Sequence, residues 1–153
     1  MKATQGNYRI DLMDWRDAAP LAMPLRERVF VGEQGVPPEL EMDEFDAVCR
    51  HAVARTFDVA GDGAVIATGR LLPDGHIGRM AVDAGWRNRG VGGAVLEALV
   101  AEATVRGMPE VVLNAQVHAL AFYERHGFDA EGAIFMEAGI EHRAMRRRLR
   151  GGW

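Results

Sequence analysis

Residues 87–93 read Arg87-Asn88-Arg89-Gly90-Val91-Gly92-Gly93. They stand between a segment with strand character, residues 76–82, and the most regular apolar periodicity in the chain. Val91, Val95, Leu96, Leu99 and Val100 fall on one face of a helix that runs to about Arg106. A strand must therefore feed directly into a helix through a turn rich in glycine. Gly90 and Gly92 permit backbone conformations closed to other residues and let a bulky group approach the main chain. The first N–H groups of the helix have no carbonyl partner, and the helix dipole favours an anion there. Arg87 and Arg89 can add charge-assisted hydrogen bonds. The turn suits a pyrophosphate. Read alone, its glycines also suit a turn that only tightens the chain while both arginines face water.

Other nucleotide templates fit less well. A phosphate loop for ATP or GTP would end in Gly-Lys-Ser or Gly-Lys-Thr. A dinucleotide fingerprint would need Gly-x-Gly-x-x-Gly early in a strand–helix–strand unit, with an acid about 20 residues further on. The chain has neither.

Around this turn the pattern predicts the following order. Residues 8–12 alternate as a short strand. Asp14 or Asp17 caps a helix beginning near Ala18 that carries Leu21, Leu25, Val29 and Phe30. Pro20 suits a first helical turn, Pro24 should bend or divide the helix, and Gly35, Pro37 and Pro38 should stop it. The acidic stretch of Glu33, Glu39, Glu41, Asp43, Glu44 and Asp46 follows as a loop or short second helix. Residues 49–57 and 64–72 form a hairpin across Asp62-Gly63, and Pro73-Asp74-Gly75 turns the chain into residues 76–82, making three adjoining antiparallel strands. After the long helix come a short buried strand at 111–113, a helix over 118–126, and strands at 133–137 and 142–149. The class is α/β (α+β), with helices on the faces of a mixed sheet.

The chain's 153 residues, 48% of them hydrophobic, suit one packed domain over residues 1–153. No apolar run reaches the roughly 20 residues of a membrane helix, and residues 1–6 lead into polar sequence rather than a signal peptide, so a cytoplasmic location is expected, with no membrane partner. Cys49 is the single cysteine and cannot form an intrachain disulfide. No metal site is expected, because no Cys-x-x-Cys or His-Glu-x-x-His run occurs. A basic tail holds Arg143, Arg146, Arg147, Arg148 and Arg150, but the net charge of −4 argues against a nucleic-acid partner. A homodimer stays open.

Three further segments extend the pattern. They are Gly78-Arg79-Met80-Ala81-Val82 before the turn, Ala119-x-Ala121-Phe122-Tyr123-Glu124-Arg125-His126-Gly127-Phe128 after it, and Leu25-Arg26-x-Arg28-Val29-Phe30-Val31-x-Glu33-Gln34-Gly35-Val36-Pro37 near the start. With Gly139-Ile140-x-His142-Arg143-x-Met145, they make residues 9–149 resemble the GCN5-related N-acetyltransferase (GNAT) superfamily, in particular a small bacterial subgroup whose members mostly lack an assigned substrate. The resemblance implies a GNAT-like sheet of roughly six or seven strands splayed at its centre, flanked by helices in the order β-α-α-β-β-β-α-β-α-β-β. It implies acetyl-CoA as acyl donor, lying in the V-shaped gap. Met80, Ala81 and Val82 would pair with the pantetheine arm at a bulge, and Arg87, Asn88, Arg89, Gly90, Val91, Gly92 and Gly93 would hold the pyrophosphate. Tyr123 would lie near the thioester sulfur. The asparagine often found seven residues before that tyrosine is Gln116 here, a longer amide at a cofactor contact.

Acetyl transfer to an amine needs a neutral amine, an electrophilic carbonyl held near it, and a proton for the departing thiolate. An acyl-enzyme intermediate is not required, and Cys49 is expected to be a buried strand residue rather than a nucleophile. Backbone N–H groups near Ala81 and Val82 can polarise the carbonyl, and Tyr123 is the expected general acid. Glu33, His142 and His51 are the candidate bases; His76, His118 and His126 are weaker ones. Glu33, Glu41 and Asp43 are expected to draw a small cationic amine to the acceptor side. A peptide or protein amine is the alternative acceptor, and a sensor or scaffold that binds acyl-CoA without transfer is the alternative function.

Overall fold

In the computed structural model, residues 3–5, 7–58 and 61–149 are described. β1 (Ala3–Gln5) and β2 (Tyr8–Asp14) form a hairpin, which β3 (Arg50–Asp58), β4 (Gly61–Leu71) and β5 (Ile77–Val82) extend into an antiparallel five-stranded sheet in chain order. β6 (Glu110–Gln116), β7 (Asp129–Glu137) and β8 (Ile140–Arg148) form a second antiparallel sheet with β8 in the middle. β1 was not expected and adds one strand to the sequence reading. The remaining order is as expected.

The two sheets share one parallel bridge, between His76 and Val112, where the Val112 N–H donates to the Gly75 carbonyl at 3.0 Å. Beyond it no ladder joins β5 to β6, so the sheet opens there. Glycine is required at this seam: Gly75 has φ +96°, and a Cβ on it would lie 2.8 Å from the Glu110 carbonyl oxygen.

α3 (Val91–Val105) buries Val91, Val95, Leu96, Leu99, Val100 and Ala103 in a core shared with Ile10, Ala52, Ala54, Ala67, Val111, Leu113 and Met145. The small alanines on β3 and β4 let the bulkier helix side chains approach the sheet, which is how a helix and a sheet reach interior packing density. No helix among the described residues is long and apolar enough to cross a membrane.

α1 (Trp15–Arg26) is not divided at Pro24. Pro20 and Pro24 both lie inside it and both are exposed. Each removes one N–H from the ladder, but at a spacing of four they leave the gaps on the solvent face, where water can satisfy the freed carbonyls. The buried face, Ala18, Ala22, Leu25 and Arg26, is uninterrupted. The helix then widens into a π-helical turn, Glu27–Glu33, closed by the Gln34 N–H donating to the Val29 carbonyl at 3.0 Å.

Arg26, only 1% exposed, closes the acidic stretch onto the sheet. α2 (Pro38–Glu41) supplies Glu41, and the loop and 3₁₀ turn after it supply Asp43 and Asp46. Arg26 Nε donates to Glu41 at 2.7 Å and its Nη1 to Asp46 at 2.8 Å. Arg70 on β4 donates to Asp43 at 2.7 Å and Asp46 at 2.8 Å, while Arg79 on β5 donates to Asp43 at 3.2 Å and to the Glu41 carbonyl at 3.0 Å. Such a network is tolerated in a dry setting because each charge meets an opposite one with hydrogen-bond geometry.

Two stability predictions follow from this cluster. Arg26→Met should cost about 3–5 kcal/mol in urea denaturation, because it removes the guanidinium that joins the buried Glu41 and Asp46 and leaves each with one arginine fewer. The bond from Arg70 holds the Asp43 carboxyl down at about 2, against an ordinary 3.8. A depressed carboxyl contributes stability above its unfolded value and loses it as pH falls through the folded one. Asp43→Asn should therefore unfold earlier than wild type at neutral pH, and the difference should shrink between pH 3.8 and about 2. A difference that does not change over that window would show that Asp43 contributes no charge.

Candidate active site

β5 cannot run straight past β4. Thr68 pairs with Ala81 and Arg70 with Gly78, so Arg79 and Met80 together stand opposite Gly69. The extra residue forms a bulge, and Arg79 takes φ 51° there. Its guanidinium is anchored to the Leu40 and Glu41 carbonyls and to Asp43, so its side chain ties the strained position to the acidic stretch. Gly69 leaves space on the other side: a Cβ there would lie 2.5 Å from Met80 Sδ.

The chain leaves β5 through a 3₁₀ turn, Ala84–Trp86, whose Gly85 N–H donates to Asp83 at 3.3 Å. Asn88 and Gly90 both have positive φ, 62° and 86°, and Gly90 is the N-cap of α3. The first intrahelical bond runs from the Ala94 N–H to the Gly90 carbonyl at 3.1 Å, so the N–H groups of Val91, Gly92 and Gly93 precede the ladder. Arg89 lies over the Trp86 ring, 3.9 Å from its centroid. Arg87 donates to the Val82 carbonyl at 3.1 Å and to Glu33 at 2.6 Å.

The glycines divide their work differently from the sequence reading. Gly90 supplies the backbone conformation, with open space beside it. A Cβ on Gly92 would meet Val82 at 3.2 Å and Phe122 at 3.8 Å, and one on Gly93 would lie 2.8 Å from His126. Gly92 and Gly93 therefore let α3 start close to β5 and α4 (Leu120–Arg125).

Bulge, turn and α4 border one open cleft of about 1960 Å³, larger than the roughly 300–1,000 Å³ typical of a pocket for one small molecule. Met80, Ala81, Val82, Arg87, Asn88, Gly90, Gly92, Gly93, Gln116 and Tyr123 all line it. Tyr123 packs edge-on against Phe122 and Phe128, and its hydroxyl has no hydrogen-bond partner among the described residues. Burial pushes its phenol up to about 12. It holds its proton at neutral pH and can only donate it. Gln116 donates to Gln34 at 2.9 Å, and its carbonyl oxygen lies 2.6 Å from His118 Nε2. The longer amide thus joins the end of β6 to the end of the π-helical turn.

Each of the expected acceptor carboxylates has an arginine partner. Glu41 is 4% exposed and bound to Arg26 and Arg79, Asp43 is bound to Arg70 and Arg79, and Glu33 is bound to Arg87 beside the glycine turn. All three line the cleft, and between them they face four arginines, Arg26, Arg70, Arg79 and Arg87. His51 lies away from the cleft. It is 1% exposed, sits against Trp15 and bonds the Asp46 carbonyl at 2.9 Å; burial lowers its pKa. Cys49 is buried as expected, and burial pushes its thiol up to about 11, away from nucleophilic use.

His142 does reach the cleft. Its Nδ1 lies 2.7 Å from the Ile140 carbonyl, which fixes that nitrogen as the donor and leaves Nε2 as an acceptor. Phe135 stacks on the ring at 6.0 Å. Gln34, which accepts from Gln116, and Glu137, whose carboxylate lies 3.7 Å from His142 Nε2, were missed as site residues in the sequence. Glu137 had a signal: immediately before the Ala138-Gly139 turn, it shares a strand face with Phe135, and Phe135 pairs with His142.

Comparison with known proteins fits this geometry. The domain family described as "Acetyltransferase (GNAT) domain" matches residues 41–149. The uncharacterized N-acetyltransferase YjcF of Bacillus subtilis (strain 168) is 38% identical over 127 residues, 81% of this chain and 88% of the relative. A crystal structure provisionally described as an N-acetyltransferase from Lactobacillus plantarum superposes with a TM-score of 0.82 at 27% identity, covering 94% of this chain and 99% of that one. A GNAT family acetyltransferase from Elizabethkingia anophelis, solved with acetyl-CoA bound, shares the fold at a TM-score of 0.70 and 17% identity, covering 95% of this chain and all of that one.

The chain has two tyrosines, and burial raises both phenols. Tyrosinate absorbance followed against pH should therefore show nothing of Tyr123 at pH 10 and lose only its uppermost step, near pH 12, in Tyr123→Phe. A lost step at pH 10 instead would show a solvated hydroxyl.

Proposed function

The chain belongs to the GNAT family of acetyltransferases, whose donor is acetyl-CoA, and from that premise we propose that it transfers the acetyl group directly to a primary amine, with no acyl-enzyme intermediate. The observation that carries this reading is the presence, in one cleft, of an unpaired helix N-terminus behind Gly90, a bulged strand edge and a half-buried, protonated Tyr123. Each suits a different part of a thioester donor.

The Val91, Gly92 and Gly93 N–H groups suit the pyrophosphate, where helix-end donors and the dipole act together. Arg89, held over Trp86, adds positive charge at the same end. The strand edge at Met80, Ala81 and Val82 offers main-chain groups to the pantetheine amides, as an added strand would pair. A backbone N–H beside the bulge can polarise the thioester carbonyl, a donor fixed before the charge develops.

The amine nitrogen then attacks the carbonyl carbon, and the carbon–sulfur bond breaks. His142 Nε2 accepts the proton that the amine must lose, since Nδ1 is committed to Ile140. Tyr123 gives its proton to the leaving thiolate and recovers one from solvent. A small amine that is cationic in water suits this site, for it needs a base at the cleft to become a nucleophile.

Coenzyme A release should be measured with a panel of small amines. Tyr123→Phe should lower single-turnover acetyl transfer by about 10²-fold or more while leaving donor affinity unchanged. Acetyl-CoA should stabilise the wild type by roughly 2.7 kcal/mol at 100 times its dissociation constant. Gly90→Val, which forces a β-branched residue to φ +86°, should abolish that protection. Equal protection of wild type and variant would move the phosphate site elsewhere.

A further inference from the structure

Charge along the cleft wall is almost fully compensated. Six described carboxylates line it: Glu33, Glu41, Asp43, Glu97, Glu102 and Glu137. Glu33 meets Arg87, Glu41 meets Arg26, Asp43 meets Arg70, Glu97 meets Arg147 and Glu102 meets Arg106. Glu137 alone among them has no arginine partner. Its neighbours are His142 Nε2, 3.7 Å away, and the Asn114 amide, which donates at 3.4 Å.

We propose that Glu137 is the residue that selects a cationic acceptor, by binding the ammonium beside His142 and handing it over for deprotonation. The inference rests on the amine-transfer reading and names the acceptor contact within it. Three observations support it. Ala138 and Gly139 have φ 51° and 77°, the two positive values of a tight hairpin turn, so the carboxylate leaves a rigid corner rather than a loose loop. The strand register places Asn114 and Gln116 on β6, His142 on β8 and Glu137 on β7 on one face, turned to the cleft. The Glu137 side chain is 51% exposed, so an incoming ammonium reaches it without breaking an existing ion pair. An ammonium between this carboxylate and Nε2 has its charge met by one and its proton accepted by the other.

The test compares an alkylamine, protonated at pH 7, with an arylamine that is neutral there. Glu137→Gln should raise KM for the alkylamine about tenfold, the loss of one charge-assisted hydrogen bond, and remove its dependence on ionic strength. KM for the arylamine and for acetyl-CoA should not change, and Glu137→Asp should recover part of the alkylamine affinity. Glu137 is exposed at a hairpin end, and the wild-type KM for acetyl-CoA in each variant verifies that the fold is kept. If the enzyme acetylates both amines and Glu137→Gln changes neither KM, or both equally, the inference is overturned and the transfer reading stands. If wild type acetylates neither amine while acetyl-CoA still protects it from unfolding, the transfer reading falls and this inference with it.

Discussion

The cluster of Arg26, Arg70 and Arg79 with Glu41, Asp43 and Asp46 is the interaction on which the site's shape depends. Its six charges come from α1, α2, β4, β5 and the stretch between α2 and β3, so the front wall of the cleft is tied to both sheet and helix by the same bonds. Replacing such a cluster with well-packed apolar residues is often neutral or stabilising, which makes net stability a poor reason for its presence. Geometry is the better one. Arg79 sits at φ 51° in the bulge, a conformation that costs free energy for a residue with a Cβ. Its guanidinium can reach two carbonyls and a carboxylate only if the acidic stretch is in place, and the stretch is in place only if Arg26 and Arg70 hold it. Bulge and acidic wall therefore specify one another.

Much of the fold was legible because it rests on local rules. The apolar stripe from Val91 to Val100, the Pro73-Asp74-Gly75 turn and the glycines after Arg87 each act within a few residues, and the elements they bound formed near their expected limits. The expected turn at Asp62-Gly63 is corrected: both residues lie inside β4, where Asp62 pairs with Phe57. The helix that survives Pro24 shows where a local rule was incomplete: proline removes a hydrogen bond, but the cost depends on whether the freed carbonyl faces water. Nothing in residues 15–26 read singly says which face that is; it follows once Ala18, Ala22 and Leu25 are known to be buried.

The charges were less legible for a different reason. Glu33 to Asp46 looks like an acidic surface because six acids fall close together in sequence. The partners of Glu41 and Asp46 on Arg26 lie 15 and 20 residues away, and those of Asp43 on Arg70 and Arg79 lie 27 and 36 residues away. A field is a sum over space, so a run of like charges along a chain does not predict its sign at a cleft. The same reasoning deflates the basic tail, in which Arg146 meets Glu110 and Glu131, and Arg147 meets Glu97. Glu137, an unremarkable acid at a strand end, becomes the uncompensated one.

The remaining charges give the cleft a polarity along its length. At one end lie the unpaired N–H groups of α3; at the other, across the seam where β5 and β6 part, lie Glu137 and the free nitrogen of His142. The two ends belong to different sheets, joined by one bridge at His76 and Val112. A donor whose anionic group must be far from its reacting carbonyl and an acceptor whose cation must be close to it therefore meet different sheets. Bringing them together requires only that the seam hold its angle. Gly75, with no room for a Cβ against Glu110, and Gln116, bonded across to Gln34, fasten the two sides of that angle at either end of β6. Placing the reactants on separately built walls also leaves the acceptor wall free to change its side chains without disturbing the bulge or the glycine turn, because no buried ion pair of the front wall includes a residue of β7 or β8.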